Sequence, residues 1–242
     1  MNGITHYLDG VNAMGQWIDL APADGAAVRA WAALPEGPVH GGVVVVQEIF
    51  GVNAHIRAVA DRFAARGYAA VAPDLFARLE PGVDLGYSAQ DMDQGRALKT
   101  RAEALPAPGL LPDVQAAVAE AARLGQGKVG VVGFCWGGLM AWRAACALDG
   151  IAATACYYGG GMTVGLEAAR TPRSPVIAHF GRRDAHIPQD GVQAFARAHP
   201  EVGVHVYEAD HGFNCDQRGA YDEAAAMAAR DRTLAFFGRL VG

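Results

Sequence analysis

Apolar runs of strand length alternate along this chain with stretches in which apolar positions recur every three or four residues. The runs fall at residues 42–48, 69–74, 128–134, 154–158, 175–181 and 204–209. The stretches between them predict helices over 53–66, 88–104, 111–124, 137–148, 189–198 and 217–240. Residues 16–21 and 27–33 read as an opening hairpin turned at Ala23-Asp24-Gly25. Residues 43–46 are four valines with no polar face, which suits an interior strand buried on both sides. The alternation specifies an α/β fold, a mainly parallel eight-stranded sheet with helices on both faces. In the last helix, Met227, Leu234 and Phe237 are spaced for one buried stripe. Residues 77–109 form the longest connection without a strand, and in this architecture such a segment crosses the carboxyl ends of the strands, where ligands bind.

A length of 242 residues suits one α/β domain over residues 1–242. The apolar fraction of 52% is enough for a packed core. The net charge is −5 and no stretch is strongly basic, which argues against nucleic acid as a partner. Residues 1–10 lack the basic and apolar regions of a signal peptide, and no apolar run approaches the length of a membrane span. A cytoplasmic protein, monomeric or weakly self-associating, is the expectation. The four cysteines (135, 146, 156, 215) show no C-x-x-C pair and no metal-ligand spacing, so reduced thiols are expected. Cys146, Cys156 and Cys215 read as bland positions in a helix, a strand and after a loop.

Cys135 differs. Gly133-Phe134-Cys135-Trp136-Gly137 follows an apolar strand and precedes helix-forming residues. This is the G-x-C-x-G form of a nucleophile elbow, in which the central residue takes a strained conformation and its neighbours two positions away must be small. The sulfur then stands at the amino end of a helix, where the macrodipole favours thiolate. A buried small hydrophobe, the usual role of a lone cysteine, does not explain the flanking glycines.

An elbow implies an acid after a later strand and a histidine after the last one. The strand at 175–181 runs into Arg182-Arg183-Asp184, and that at 204–209 into Asp210-His211-Gly212-Phe213. Asp184 and His211 are therefore the expected acid and base. His186 is the rival histidine; Asp210 is a poorer acid because a sequence neighbour does not easily reach the far ring nitrogen. His179 and His205 lie within strands and read as structural, while His6, His40, His55 and His199 read as surface or loop positions.

The chain resembles the dienelactone hydrolase family of α/β-hydrolases. Four segments carry the resemblance, in the family's order: Gln47-Glu48-Ile49-Phe50-Gly51-Val52-Asn53, Ala72-Pro73-Asp74-Leu75-Phe76-Ala77-Arg78, Gly133-Phe134-Cys135-Trp136-Gly137-Gly138 and Asp210-His211-Gly212-Phe213. The resemblance implies a triad of Cys135, Asp184 and His211. It implies that Glu48 lies near the thiol and regulates its reactivity, and that the backbone N–H groups of Trp136 and Ile49 form the oxyanion hole. No cofactor or metal is implied.

The family opens an enol-lactone that bears a free carboxylate, in bacterial degradation of aromatic compounds, and holds that carboxylate with two arginines. One matches Arg78. The position of the second is Cys215 here, and Arg218 is a candidate replacement or a solvated helix-start residue. Tyr87 and Phe213 are expected pocket walls. The expected reaction is hydrolysis of such a lactone, or of a small ester, through an acyl-enzyme. The competing enzyme class is a broad carboxylesterase or thioesterase acting on neutral acyl groups; a binding protein of the same fold would have no reason to keep all three triad residues.

Overall fold

The valines of residues 43–46 lie in a strand with no exposed residue, β3 (Gly41–Val46), in the interior of an eight-stranded sheet. Each buried valine side chain contributes about 1.5–3 kcal/mol relative to exposure, so this run anchors the middle of the molecule. The structure is a computed structural model that describes residues 15–242. The signal-peptide expectation for residues 1–10 and the placement of His6 lie outside the described residues.

The remaining strands are β1 (Gln16–Leu20), β2 (Val28–Ala33), β4 (Tyr68–Pro73), β5 (Val129–Phe134), β6 (Ile151–Tyr157), β7 (Val176–Gly181) and β8 (Gly203–Tyr207). Their order across the sheet is β1-β2-β4-β3-β5-β6-β7-β8. The hairpin β1–β2 and the β2–β4 pair are antiparallel, and every pair from β4 to β8 is parallel.

Helices connect the parallel strands: α1 (Ala54–Ala64), α2 (Ala89–Glu103), α3 (Leu111–Gly125), α4 (Trp136–Ala147), α5 (Gly165–Ala168), α6 (Gln189–Ala198) and α7 (Glu223–Leu240). One face of the sheet carries α3 over β3 and β4 beside α4 over β5 and β6. On the other, α1 meets α7 where the Phe63 and Phe237 rings lie 6.0 Å apart. No described helix is long and apolar enough to cross a membrane.

Two expectations are corrected, and one short helix was not expected. The last helix begins at Glu223 rather than 217, because the Asp222 side chain caps it by accepting from the Ala225 N–H. Its buried side is Ala225, Ala226, Ala229, Thr233, Phe236 and Phe237, and Met227 is half exposed. The short helix α5 carries too few residues to show a period.

Candidate active site

Parallel strands deliver their carboxyl ends to one edge of the sheet, and every candidate of the elbow pattern lies there. Glu48 follows β3, Cys135 follows β5, Tyr158 follows β6, Asp184 follows β7 and His211 follows β8.

Cys135 is the residue between β5 and α4, with φ 54° and ψ −118°. Such a conformation in a non-glycine residue costs on the order of 1–3 kcal/mol and persists only where the surroundings enforce it. The enforcement is visible at the flanking glycines. A Cβ on Gly133 would lie 1.9 Å from the Gly137 carbonyl oxygen, and one on Gly137 would lie 2.3 Å from that of Gln47. The turn therefore closes only with both glycines, and it holds the thiol out at the start of α4.

His211 Nε2 is 3.1 Å from Cys135 Sγ, and His211 Nδ1 is 2.7 Å from Asp184 Oδ2. The other Asp184 oxygen accepts from the His186 N–H at 2.8 Å, which fixes the carboxylate. Burial pulls His211 towards neutrality, but its bonds to Asp184 and Cys135 outweigh burial and raise it to about 10. His186 places its ring 5.1 Å from that of His211, edge to face, and takes no place in the bonded chain from sulfur to carboxylate. Asp210 turns to Arg183, at 3.7 Å.

Trp136 is buried, stacks on Phe76 at 5.2 Å and donates its indole N–H to Glu103 at 2.6 Å. The Ile49 loop is held from beneath by Gln47, whose side chain donates to the Glu48 carbonyl and accepts from the Leu75 N–H. Neither the Ile49 nor the Trp136 N–H donates to a backbone carbonyl among the described residues.

The Glu48 carboxylate is buried, with Oε1 3.1 Å from Arg218 Nη1. Arg218 lies over the faces of Phe50 and Tyr87, 5.7 and 5.8 Å from their centroids. A Cβ at Gly212, where φ is +87°, would lie 2.5 Å from Arg218 Nη1, so the glycine after the histidine gives the guanidinium its room. The Tyr87 hydroxyl accepts from Asn53 at 3.1 Å and from the Cys215 thiol at 3.2 Å. Asn53 also donates to the Leu85 carbonyl, tying the long connection to the end of β3.

Arg78 is placed differently from the expectation. Its guanidinium is committed to the buried Asp113 carboxylate, at 2.7 Å from Nε, and to Asp24, at 2.7 Å from Nη1. Arg218, not Arg78, is the cation beside Glu48. Phe213, an expected pocket wall, is wholly buried against Tyr158 and Tyr207. His55 and His199 are buried, not surface residues. His179 is buried in β7 and bonded to the Tyr207 and Thr233 hydroxyls, a structural role.

Sequence reasoning missed Tyr158, a buried residue at φ 38° whose ring meets His211 edge to face at 5.1 Å. It also missed the cluster at Glu48, where His55, Cys215 and the Glu48 carboxylate lie within 4.8 Å of one another. His55 is held by Asp216 at 3.4 Å. Burial acts to lower it, but Asp216, Cys215 and Glu48 raise it to about 9. The available signal was the close spacing of His211, Cys215, Asp216 and Arg218 on one loop.

The model of the dienelactone hydrolase family matches residues 28–241. A carboxymethylenebutenolidase of Pseudomonas putida is 35% identical over 222 residues, covering 89% of this chain and 91% of the relative. A Synechocystis protein provisionally named as the same enzyme is 35% identical and covers 81% of this chain and 84% of its own. A crystal structure from Klebsiella pneumoniae, provisionally named a dienelactone hydrolase, superposes with a TM-score of 0.78 at 32% identity, covering 93% of this chain and 99% of the other.

Sheet order, elbow and these likenesses together define an α/β-hydrolase that cleaves ester or lactone bonds. The chain belongs to the dienelactone hydrolase family.

Proposed function

We propose that this enzyme hydrolyses a carboxylate-bearing enol-lactone of the dienelactone type, as arises in the breakdown of aromatic compounds, with Cys135, His211 and Asp184 as its triad. The observation that carries the reading is the unbroken chain from Cys135 Sγ through the His211 ring to Asp184 Oδ2.

Cys135 Sγ and His211 Nε2 share one proton across their 3.1 Å contact, and the ring carries that proton as the sulfur attacks. The sulfur attacks the lactone carbonyl carbon, and the Trp136 and Ile49 N–H groups receive the charge that develops on its oxygen. Collapse of the tetrahedral intermediate breaks the ring C–O bond. His211 delivers its proton to the departing enol oxygen, leaving a thioester on Cys135. The neutral ring then takes a proton from water, which attacks the thioester and releases the carboxylic acid and the thiolate. Asp184 holds the ring in the tautomer both steps need.

Arg218 is the proposed partner of the substrate carboxylate. Its contact with Glu48 makes that glutamate the group that yields or retains the cation when an anionic substrate arrives. Glu48 thereby links substrate charge to the field around Cys135.

A second reading, a broad esterase or thioesterase acting on neutral acyl groups, is favoured by one observation. Arg78 and Arg218 both already face carboxylates of the chain itself.

Cys135→Ala tests the proposal. Turnover should vanish while the near-ultraviolet circular dichroism stays native, and undiminished turnover would remove Cys135 from the mechanism. Parallel measurement of a dienelactone and a neutral aryl ester separates the readings; equal kcat/KM on both favours the broad esterase.

A further inference from the structure

At Glu48, three metal-ligand side chains from three parts of the chain converge. They are Glu48 after β3, His55 in the first turn of α1 and Cys215 on the loop after His211. All three residues are buried, and one ligand atom of each lies within 4.8 Å of the other two. Buried polar atoms are ordinarily hydrogen-bonded, because leaving one unpaired costs about 1–3 kcal/mol. Here Glu48 Oε2 and His55 Nε2 are buried without a hydrogen-bond partner, and His55 Nδ1 has only the Asp216 carboxylate, at 3.4 Å. Arg218 occupies only the other Glu48 oxygen.

We propose that Glu48, His55 and Cys215 form a site for a soft divalent cation of the zinc class. Thiolate, imidazole and carboxylate are the donors that zinc takes in tetrahedral sites, and the thiolate selects against magnesium and calcium. Asp216 supplies the orienting carboxylate that metal-bound histidines ordinarily have. It lies 3.4 Å from His55 Nδ1, which leaves Nε2 as the donor. A bound cation takes the place of the His55 and Cys215 protons, and water completes the fourth position.

Glu48 belongs both to this cluster and to the ion pair with Arg218. Occupancy therefore draws on the carboxylate beside the triad, and the cation acts on the enzyme through Glu48. The binding itself does not depend on the proposed lactone chemistry.

The test uses Cys135→Ala protein, which lacks the other thiol–imidazole pair able to take up a soft metal. Cobalt(II) serves as a spectroscopic stand-in for zinc. Titration should give one metal per chain and a thiolate-to-cobalt charge-transfer band in the near ultraviolet. Adding Cys215→Ser should abolish the band and weaken zinc affinity, read by calorimetry, at least about tenfold. Adding His55→Gln instead should also weaken affinity, and covers the case in which the serine variant fails to fold. No band in the Cys135→Ala protein, or a band that persists with Cys215→Ser, overturns the site. Zinc binding of equal strength in Cys135→Ala and Cys135→Ala/His55→Gln does the same.

Discussion

Arg218 meets Glu48 at 3.1 Å in a nearly closed environment, with the glutamate side chain 1% exposed and the arginine 15%. Removing one partner of a buried pair leaves an uncompensated charge, whereas removing both can be close to neutral. Arg218→Met should therefore destabilise the fold by about 3 kcal/mol. Arg218→Met combined with Glu48→Gln should recover most of that loss. Urea denaturation of the two variants and the parent checks this. A double variant no more stable than the single one would show that the pair contributes little.

The two arginines should separate by their effects. Arg218→Met should raise KM for an anionic lactone roughly tenfold or more while changing that for a neutral ester little, since a charge-assisted bond contributes about 1.5–3 kcal/mol. Arg78→Met frees the buried Asp113 and should act on stability, lowering Tm with the ratio of the two KM values held constant. A selective KM effect at Arg78 would return it to the substrate site.

Asp184→Asn should lower kcat by roughly 10²–10⁴-fold, because the ring loses the group that holds its tautomer. Its stability effect should depend on pH. His211 is raised from its ordinary 6.5 to about 10 in the folded chain. The stabilisation this brings is complete below pH 6.5, declines above it and is gone once pH passes about 10. The variant should thus trail the parent most near pH 6 and approach it in alkaline solution. Denaturant unfolding across that range reads the trend, and a gap that widens with pH would reverse the assignment.

Gly137→Ala places a methyl 2.3 Å from one backbone oxygen and 2.4 Å from another. Neither belongs to a side chain that can rotate away, so the elbow must shift. A loss of about 3 kcal/mol or more is expected, together with a fall in kcat out of proportion to the fraction unfolded. Circular dichroism and active-site titration with an alkylating probe distinguish the two effects.

The fold was legible in the sequence, and so was the bonded line from Cys135 through His211 to Asp184, because both rest on local patterns. The valines of residues 43–46 identify an interior strand from composition alone. The two glycines around Cys135 mark a turn that no other residue could complete, and parallel topology carries Asp184 and His211 to the same sheet edge whatever the side-chain packing. Met227 was misplaced because α7 buries mostly alanines, so its apolar period is weak and the larger side chain points outward.

What the sequence could not decide is which charges meet. Arg78 and Arg218 are alike as residues, and their partners come from distant segments. Asp113 opens α3 beside Arg78, whereas Glu48 ends the β3 run beside Arg218. The same holds for Cys215, a bland thiol in sequence that folding sets against His55 and Glu48. Strand, turn and helix are short-range consequences of residue type, and they determined the position of Cys135 and its two partners. Ion pairing and ligand clustering depend on distances between chain segments far apart in sequence. Only the packed tertiary structure sets those distances, and through them the surroundings of Glu48.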